Sequence, residues 1–314
     1  MSSHRVGIFP ASGGIGGRTV KHILTRLPPA DLVLIARHPD KLASAKALGA
    51  EVRQMSYDDD GALKTAFQSI RTLFLISYAS VEHEYRSQRH KIAIDSAIES
   101  GVTYIFYESL GFAGSLDSKE SVAHVMQAHL DTESYLEACH RSMPTVPSPS
   151  SARACTRNHT LSILAFLDPE KPQSEIKIPH NGSGPGIAWV EGEELAEGTA
   201  ELISQFANQP DEFPWRNNTV LLSGNKVLTL LETVKILGKV AKVLVQIKQV
   251  SDDEFAAQPQ VSPNFTYRGI DLSKPWATAF EAIRMGKGAF VSPLLKKLLG
   301  RELEDFKTTV SRSL

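Results

Sequence analysis

The sequence has few of the features that mark secreted, metal-binding, membrane-spanning or nucleic-acid-binding proteins. Two of its 314 residues are cysteines, Cys139 and Cys155, which is too few for a disulfide framework and gives no metal-site spacing. No apolar run reaches about 18 residues and no leader precedes the first predicted strand, so we expect no membrane span and a location in the reducing cytoplasm. The formal net charge is −1 without a basic block, which argues against a nucleic-acid partner.

What the sequence does contain is a glycine-rich turn between an apolar strand and an amphipathic helix. Residues 5–9 suit a buried strand, and residues 20–27 carry apolar side chains at the helical spacing i, i+3, i+4, i+7. Glycines between them let the backbone approach a diphosphate, and the free N–H groups and positive dipole end of the helix face that anion. The residues predicted to bind a dinucleotide are Ala11, Ser12, Gly13, Ile15 and Gly16.

The turn departs from the usual Gly-x-x-Gly-x-x-Gly spacing, because Pro10 stands where the first glycine would be. Proline has no N–H group and a fixed φ, so one phosphate donor is lost. The alternative interpretation of the whole stretch is a tight turn that binds nothing.

A second apolar strand, residues 32–36, ends about 20 residues beyond the loop, where an NAD-binding chain places a carboxylate on the ribose. This sequence has Arg37 there, with Lys41 one turn later. Positive charge suits a 2′-phosphate, so we predict a preference for NADPH over NADH. The alternative is that both charges are solvated at the start of a helix.

Strands and helices then alternate, with strands predicted at residues 51–54, 72–77 and 102–107 and a long helix at 82–99. This alternation predicts the α/β class and a Rossmann-like, doubly wound parallel sheet covered on both faces. Ligands of such sheets lie across the carboxyl ends of the strands. The candidate contacts at those ends are Ser77, Tyr78 and Ser109, and the strand at 102–107 also brings Glu108 to the same edge.

Five stretches together resemble the NmrA-like branch of the atypical short-chain dehydrogenases. They are the loop at 11–16, the Arg-x-Pro-x-Lys turn at 37–41, the Tyr-Asp pair at 57–58, the run at 94–102 and the helix at 128–136. The resemblance covers roughly the first 140 residues well and the remainder more loosely.

The resemblance implies a Rossmann core, NADP(H) as cofactor and a small C-terminal α+β lobe over the nicotinamide. We assign residues 1–160 to the NAD(P)-binding core and residues 161–314 to the remaining core elements and the substrate-binding lobe. The family holds reductases, including quinone reductases, and nucleotide-sensing regulators without catalysis. Its fungal members commonly act in secondary-metabolite biosynthesis, which suggests a polyketide-like substrate.

The usual catalytic pair of short-chain dehydrogenases, Tyr-x-x-x-Lys, is missing, because none of the seven tyrosines is followed by lysine at the fourth position. The catalytic candidates are therefore Tyr78, Ser109 and His129, with His124 of the same helix as the alternative histidine. A packed, hydrogen-bonded core histidine is the alternative for His129. A metal site is not expected, since His124 and His129 are five residues apart without a third ligand.

Residues 142–160 do not fit the pattern, because three prolines and a serine cluster can hardly supply the sixth strand that the sheet needs. Relatives are expected to show there an apolar strand ending in a motif like Arg-Glu-Gly-Leu-Tyr-Ser-Glu-Ser. Codons for residues 151–159, read from their third base, can spell that motif in order. One hypothesis is an out-of-frame segment; the alternative is a genuine loop.

The later sequence predicts further elements. Strands are expected at residues 176–178, 186–190, 218–222 and 245–250, and helices at 193–206, at 227–243, from 254 and from 266 to the end. Side chains expected to cover a substrate cavity or to form plain core are Trp276, Phe280, Met285 and Phe290. An aromatic-rich lobe would fit a flat, apolar small molecule.

Two function classes follow from these observations. The first is an NADPH-dependent oxidoreductase that reduces a carbonyl, quinone or enone. The second is a non-catalytic regulatory protein that senses NADP(H) and binds a protein partner; the missing catalytic pair favours it. A relic of a disrupted gene is a third interpretation.

Overall fold

The structure is a computed structural model that describes residues 5–142, 150–154 and 174–313. Its strands are β1 (Val6–Phe9), β2 (Leu32–Ala36), β3 (Glu51–Gln54), β4 (Thr72–Ile76), β5 (Tyr104–Leu110), β6 (Ser150–Ala154), β7 (Glu175–Ile178), β8 (Thr219–Leu222), β9 (Gln246–Gln249), β10 (Thr266–Tyr267) and β11 (Ile270–Asp271). Seven of them form one parallel sheet in the order β3-β2-β1-β4-β5-β6-β8.

Helices connect these strands. They are α1 (Gly14–Ile23), α2 (Ala43–Ala47), α3 (Leu63–Ala66), α4 (His83–Glu99), α5 (His124–Ser142), α6 (Gly192–Asn208), α7 (Leu230–Ala241), α8 (Asp252–Ala256), α9 (Ser262–Phe265), α10 (Ser273–Arg284), α11 (Leu294–Leu299) and α12 (Phe306–Ser313). Short 3-10 turns cover Pro29–Asp31, Pro39–Leu42 and Asp60–Ala62. None of the helices in the described ranges is long and apolar enough to cross a membrane.

The central sheet is buried on both faces, which explains why its strands are continuously apolar. Successive side chains of a strand point to opposite faces. Ile8 therefore packs in the core beneath α1 and α6, whereas the next residue, Phe9, packs in the core beneath α3 and α4. The predicted fold class, a doubly wound parallel sheet with a smaller C-terminal lobe, is confirmed.

The C-terminal lobe contains the parallel pair β7 and β9, the hairpin β10–β11 and helices α7 to α10. Its core is continuous with residues at the ends of the sheet. Phe265 and Trp276 of the lobe belong to the same buried cluster as Leu110 at the end of β5 and Val125 at the start of α5. The lobe is thereby fixed over the carboxyl edge of the sheet.

The expectation that residues 142–160 could hardly supply a strand is wrong. Residues 150–154 form β6, which pairs in parallel with β5 and β8. All three prolines of the segment precede residue 150 in the sequence, and strand pairing uses backbone groups that Ser, Ala and Arg all provide. Residues 143–149 and 155–160 lie outside the described residues, and the out-of-frame hypothesis stays a prediction.

Two later predictions are also wrong in part. The expected strand at 186–190 is reduced to isolated bridge positions at Ile187, which pairs with Leu228, and at Val190. The expected helix from residue 266 begins only at α10, because residues 266–271 form a hairpin. Arg268 and Gly269 at its turn both have positive φ, of 53° and 80°, as tight hairpin turns require. The predicted helices at 193–206 and 227–243 are confirmed as α6 and α7, with shorter bounds for α7.

Candidate active site

A cleft of ≈ 680 Å³ runs along the carboxyl ends of the central strands. It lies where the order of the sheet reverses, with β2 on one side of β1 and β4 on the other. Open α/β sheets bind ligands at this point. One end of the cleft is lined by Arg37 and Lys41, and the other by Phe265 and Trp276 of the C-terminal lobe.

The glycine loop forms the middle of the cleft floor. Gly13 and Gly14 have positive φ and open space around their α-carbons, whereas Gly16 lies against the Pro10 carbonyl, 2.1 Å from where a Cβ would be. Helix α1 has no side-chain cap at its N-terminus, so its first N–H groups face the cleft without a protein acceptor from a cap. This arrangement suits an anion such as a diphosphate.

Most of the predicted loop residues line the cleft, and one does not. Ser12, Gly13, Ile15 and Gly16 line it. Ala11 is fully buried, and its N–H donates to the Ile35 carbonyl at 2.7 Å. Ala11 therefore ties the loop to β2 and is placed to shape the site through the backbone.

Arg37 and Lys41 are exposed at the end of the cleft beyond β2. Arg37 donates from Nε to His38 Nε2 at 3.2 Å. No ion pair joins either cation to a carboxylate among the side chains that the structure describes. Two cations without a counter-ion at the ribose position leave a site for a phosphate.

Tyr78 follows β4 and turns its hydroxyl toward the ribose end. The hydroxyl donates to Asp58 Oδ2 at 3.4 Å, and Tyr85 donates to the other oxygen of Asp58 at 2.6 Å. Burial, followed by the negative charge of Asp58, raises the pKa of Tyr78, so the phenol keeps its proton. Arg268 of the β10–β11 hairpin lies over the Tyr85 ring at 3.7 Å, which closes this wall of the cleft.

A buried guanidinium organises the floor of the substrate end. Arg86 is 3% exposed and donates to the Val125 carbonyl at 3.1 Å, to Ser77 Oγ at 2.7 Å and to His129 Nε2 at 2.8 Å. Because a guanidinium only donates, His129 Nε2 is an acceptor and its proton resides on Nδ1, 3.0 Å from the Tyr107 hydroxyl. Burial lowers the pKa of Arg86 from its usual value.

A second buried imidazole holds the segment after β4. His90 Nε2 accepts the Tyr78 N–H at 2.8 Å, and Nδ1 donates to Thr132 Oγ1 at 2.8 Å. Burial, together with the charge of Arg86, holds the pKa of His90 well below its usual range, so this ring is neutral. His90 thus fastens Ser77 and Tyr78 to α4 and α5.

Two adjacent residues at the end of β5 line the cleft, and their side chains point to opposite faces of the sheet. Ser109 is buried and donates to Glu133 Oε1 at 2.5 Å. Glu108 lies on the other side of the strand and lines the cleft. Burial raises the pKa of Glu108 to about 8.

The substrate end is apolar and aromatic. It is lined by Val81, Leu110, Val125, Phe265, Tyr267 and Trp276. Phe265 and Trp276 stack with ring centroids 4.8 Å apart and an interplanar angle of 21°. Of the other side chains expected as cover, Phe280 is core, whereas Met285 and Phe290 are 52% and 45% exposed.

Sequence reasoning missed Arg86 and His90 completely and singled out Glu108 only as a residue of the right edge. Arg86 and His90 lie on the polar-rich helix α4, which has a weak apolar periodicity and gives no sign that these two side chains are buried. For Glu108, a carboxyl at the end of an otherwise apolar strand was the available signal.

Comparisons with known proteins agree with this geometry. Residues 11–142 match a family model described as NAD(P)H-binding. The chain is 32% identical over 252 residues to quinone oxidoreductase 2 of Escherichia coli, covering 80% of both chains. It is 24% identical over 300 residues to the NmrA-like family domain-containing oxidoreductase flvB of Aspergillus flavus, covering 94% of this chain and 90% of that protein.

Among solved structures, the triphenylmethane reductase of Citrobacter sp., complexed with NADP(H), superposes with a TM-score of 0.78 at 24% identity. The superposition covers 98% of this chain and 100% of that one. Three findings indicate the same family: the shared fold, the NAD(P)H-binding segment, and the similarity to the quinone oxidoreductase over 80% of its length. The chain belongs to the NmrA-like family of atypical short-chain dehydrogenases.

Proposed function

We propose that this chain is an NADPH-dependent reductase of a flat, apolar carbonyl, quinone or enone. One observation carries the proposal: a single cleft joins the glycine loop and two exposed cations, Arg37 and Lys41, to an aromatic chamber. The cofactor and the acceptor would meet between these ends, at the carboxyl edges of β4 and β5. A role in secondary metabolism, as the family resemblance implies, is part of the same proposal.

The cofactor half of the cleft fits a dinucleotide phosphate. The loop around Gly13 and Gly16 admits a diphosphate to the N-terminus of α1, and Arg37 and Lys41 would hold the 2′-phosphate. Ser77 and Tyr78, fixed by Arg86 and His90, would border the nicotinamide. When bound, NADPH supplies the hydride, and the protein orients it and excludes water.

The substrate half supports an aromatic acceptor. Phe265 and Trp276 form a stacked wall opposite Val125 and Leu110, so a planar ring could lie between aromatic and aliphatic surfaces. The named acceptors of two relatives, a quinone and a triphenylmethane, are also built from flat rings.

The catalytic roles predicted for Tyr78, Ser109 and His129 belong to this proposal. All three line the cleft. In this structure their hydroxyl groups and ring nitrogens are engaged with Asp58, Glu133 and Arg86, so each would act only after exchanging that partner for substrate. The regulatory alternative gains no support, because the relatives reported above carry the names of oxidoreductases or reductases.

The test is a fluorescence titration of the folded protein with NADPH and with NADH. Arg37→Ala and Lys41→Ala should each raise the Kd for NADPH about 10- to 100-fold, since a hydrogen bond to a charged group contributes about 1.5–3 kcal/mol. The Kd for NADH should stay unchanged. Lys46→Ala, an exposed lysine on α2 away from the cleft, is the matched control.

The outcomes separate the two function classes. NADPH binding followed by turnover of quinones, enones or aromatic ketones supports the reductase. NADPH binding without turnover of any acceptor class would favour the regulatory protein. Equal affinity for NADH and NADPH in the wild type would refute the assignment of Arg37 and Lys41.

A further inference from the structure

Glu108 is a carboxyl group of the cleft to which none of the described side chains donates a hydrogen bond. It lies at the carboxyl end of β5, opposite Ile76 of β4 and Ala152 of β6 in the strand register. It is partly buried and lines the cleft between the glycine loop and the aromatic chamber. A ligand that extends from the loop to the chamber passes this side chain.

The neighbouring carboxylates differ from Glu108 because their charges are stabilised. Asp58 accepts hydrogen bonds from Tyr78 and Tyr85, and Glu133 accepts one from Ser109. A carboxylate that leaves water without such donors is costly, so the neutral acid is favoured. Glu108 is therefore favoured in its protonated form, in which it holds a transferable proton.

None of the other described ionisable groups around the cleft takes this proton from Glu108. Those that line the cleft are Arg37, His38, Lys41, Tyr57, Asp58, Tyr78, Arg86, His129 and Tyr267. On the side of α1 and α6, Arg18 and His22 pair with Glu193. Tyr57 donates to the Ile76 carbonyl at 2.6 Å, and its pKa is raised by burial. Among the side chains that the structure describes, no cation is bonded to Glu108, and burial is the cause that raises its pKa.

We propose that Glu108 is a catalytic residue that protonates the oxygen of the acceptor during its reduction. This proposal rests on the proposed function. The hydride is supplied by NADPH, held as described above, which is left as NADP⁺; the electron pair of the hydride forms the new bond to the electrophilic carbon, and the carbonyl π pair moves to oxygen. The new O–H bond takes its proton from Glu108, whose O–H bond breaks. The carboxylate left behind regains a proton from water. This step supplies the function that the missing Tyr-x-x-x-Lys pair would have.

Two classes of acceptor distinguish proton donation from a structural role. A quinone or ketone needs one hydride and at least one proton, whereas a triarylmethane cation needs a hydride alone and becomes neutral. Glu108→Gln keeps the size and polarity of the side chain but has no acidic proton. We expect kcat for the quinone or ketone to fall about 100-fold in Glu108→Gln, as for loss of a general acid, while kcat for the cation stays within a factor of about two.

The pH profile gives a second criterion. For the wild type, kcat with the quinone or ketone should fall as the pH rises through about 8, because Glu108 then loses its proton. The profile of Glu108→Gln should be flat in that range. Glu108→Asp, which keeps an acid on a shorter side chain, should retain the fall with pH at reduced kcat.

A measurement on the protein without cofactor completes the test. The infrared carbonyl band of a protonated carboxyl group should be present near neutral pH, disappear above about pH 8 and be absent from Glu108→Gln. Glu99→Gln serves as control, since Glu99 is exposed and pairs with Lys64 at the far end of α4.

Each outcome decides between the proposals. A wild type that reduces neither acceptor class would refute the proposed function, and the proton-donor role with it. An active wild type whose Glu108→Gln variant loses both reactions equally, or neither, would refute the proton-donor role alone. Absence of the carboxyl band would refute it as well.

Discussion

A methyl group added at Gly16, as in Gly16→Ala, should disrupt the cofactor loop more than a methyl group added elsewhere in the first turn of α1. Gly16 is buried, and an added Cβ would lie 2.1 Å from the Pro10 carbonyl oxygen and 3.1 Å from the Ile76 side chain. Carbon and oxygen normally approach to about 3.3 Å. Because the nearest atom belongs to the backbone, no rotamer change relieves the overlap, and the loop must move by about 1 Å.

The chain offers a matched control one residue later. Gly17 is helical, and a Cβ there would meet no heavy atom within 4 Å. Overpacking at Gly16 should lower the free energy of unfolding by about 1–3 kcal/mol. Gly17→Ala should raise it by about 0.5–1 kcal/mol, because alanine is the better helix former. The two variants should therefore differ by roughly 1.5–4 kcal/mol.

Two assays test this reasoning. Urea denaturation measures the difference in the free energy of unfolding, and NADPH fluorescence titration measures binding. Displacing the loop by about 1 Å moves the backbone donors away from the diphosphate, so Gly16→Ala should bind NADPH at least about tenfold more weakly than Gly17→Ala. If Gly16→Ala matched Gly17→Ala in both assays, the close approach of α1 to Pro10 would be refuted.

Two further predictions concern pH. The native pKa of His90 is well below the unfolded value of about 6.5, so the unfolded chain alone takes up a proton as the pH falls below 6.5. Wild-type stability should then fall by up to about 1.4 kcal/mol per pH unit relative to His90→Gln, whose amide can keep both hydrogen bonds, in urea denaturation at about pH 5 and pH 7. A parallel pH dependence in both proteins would contradict the neutral imidazole. The native pKa of Glu108, about 8, lies above its ordinary value of 4.5, so wild-type stability should fall as the pH rises from 4.5 to 8. Glu108→Gln should remove that loss and gain Tm relative to the wild type between about pH 5 and pH 8, and an unchanged difference in Tm would contradict the raised pKa.

The parts of the fold that sequence predicted are those with a strong local period. The apolar runs of β2 and β4 and the apolar spacing of α1 and α6 predict both element type and burial, because the sheet is covered on both faces. The strand β6 has no such local period, so the sequence did not predict it. Its residues Ser150–Ala154 lack apolar character, and they are paired through backbone contacts with β5 and β8, which a local pattern does not report.

The residues of the candidate site fall into the same two groups, those that a local sequence pattern predicts and those that it does not. Gly13, Gly16, Arg37 and Lys41 belong to one strand-turn-helix-strand unit, so spacing along the chain is enough to bring them to one cleft. Arg86 donates hydrogen bonds to residues that are 9 to 43 positions away in the sequence, Ser77 and His129 among them. Such contacts depend on how α4 and α5 pack, which sequence spacing does not contain.

The cofactor half and the substrate half of the cleft are built differently, and this difference predicts how the family can change its substrate. The cofactor half depends on backbone geometry and close approach, as at Gly16, so most substitutions there weaken binding. The substrate half is built from side chains of separate segments, such as Val81, Leu110, Val125 and Trp276, supported by the lobe core behind them. Substitutions in these side chains can reshape the chamber while the loop and the strands below it stay in place. A chemical group such as the Glu108 carboxyl can likewise be introduced at a strand end without altering the backbone, because its neighbours in the sheet bond through their backbone atoms.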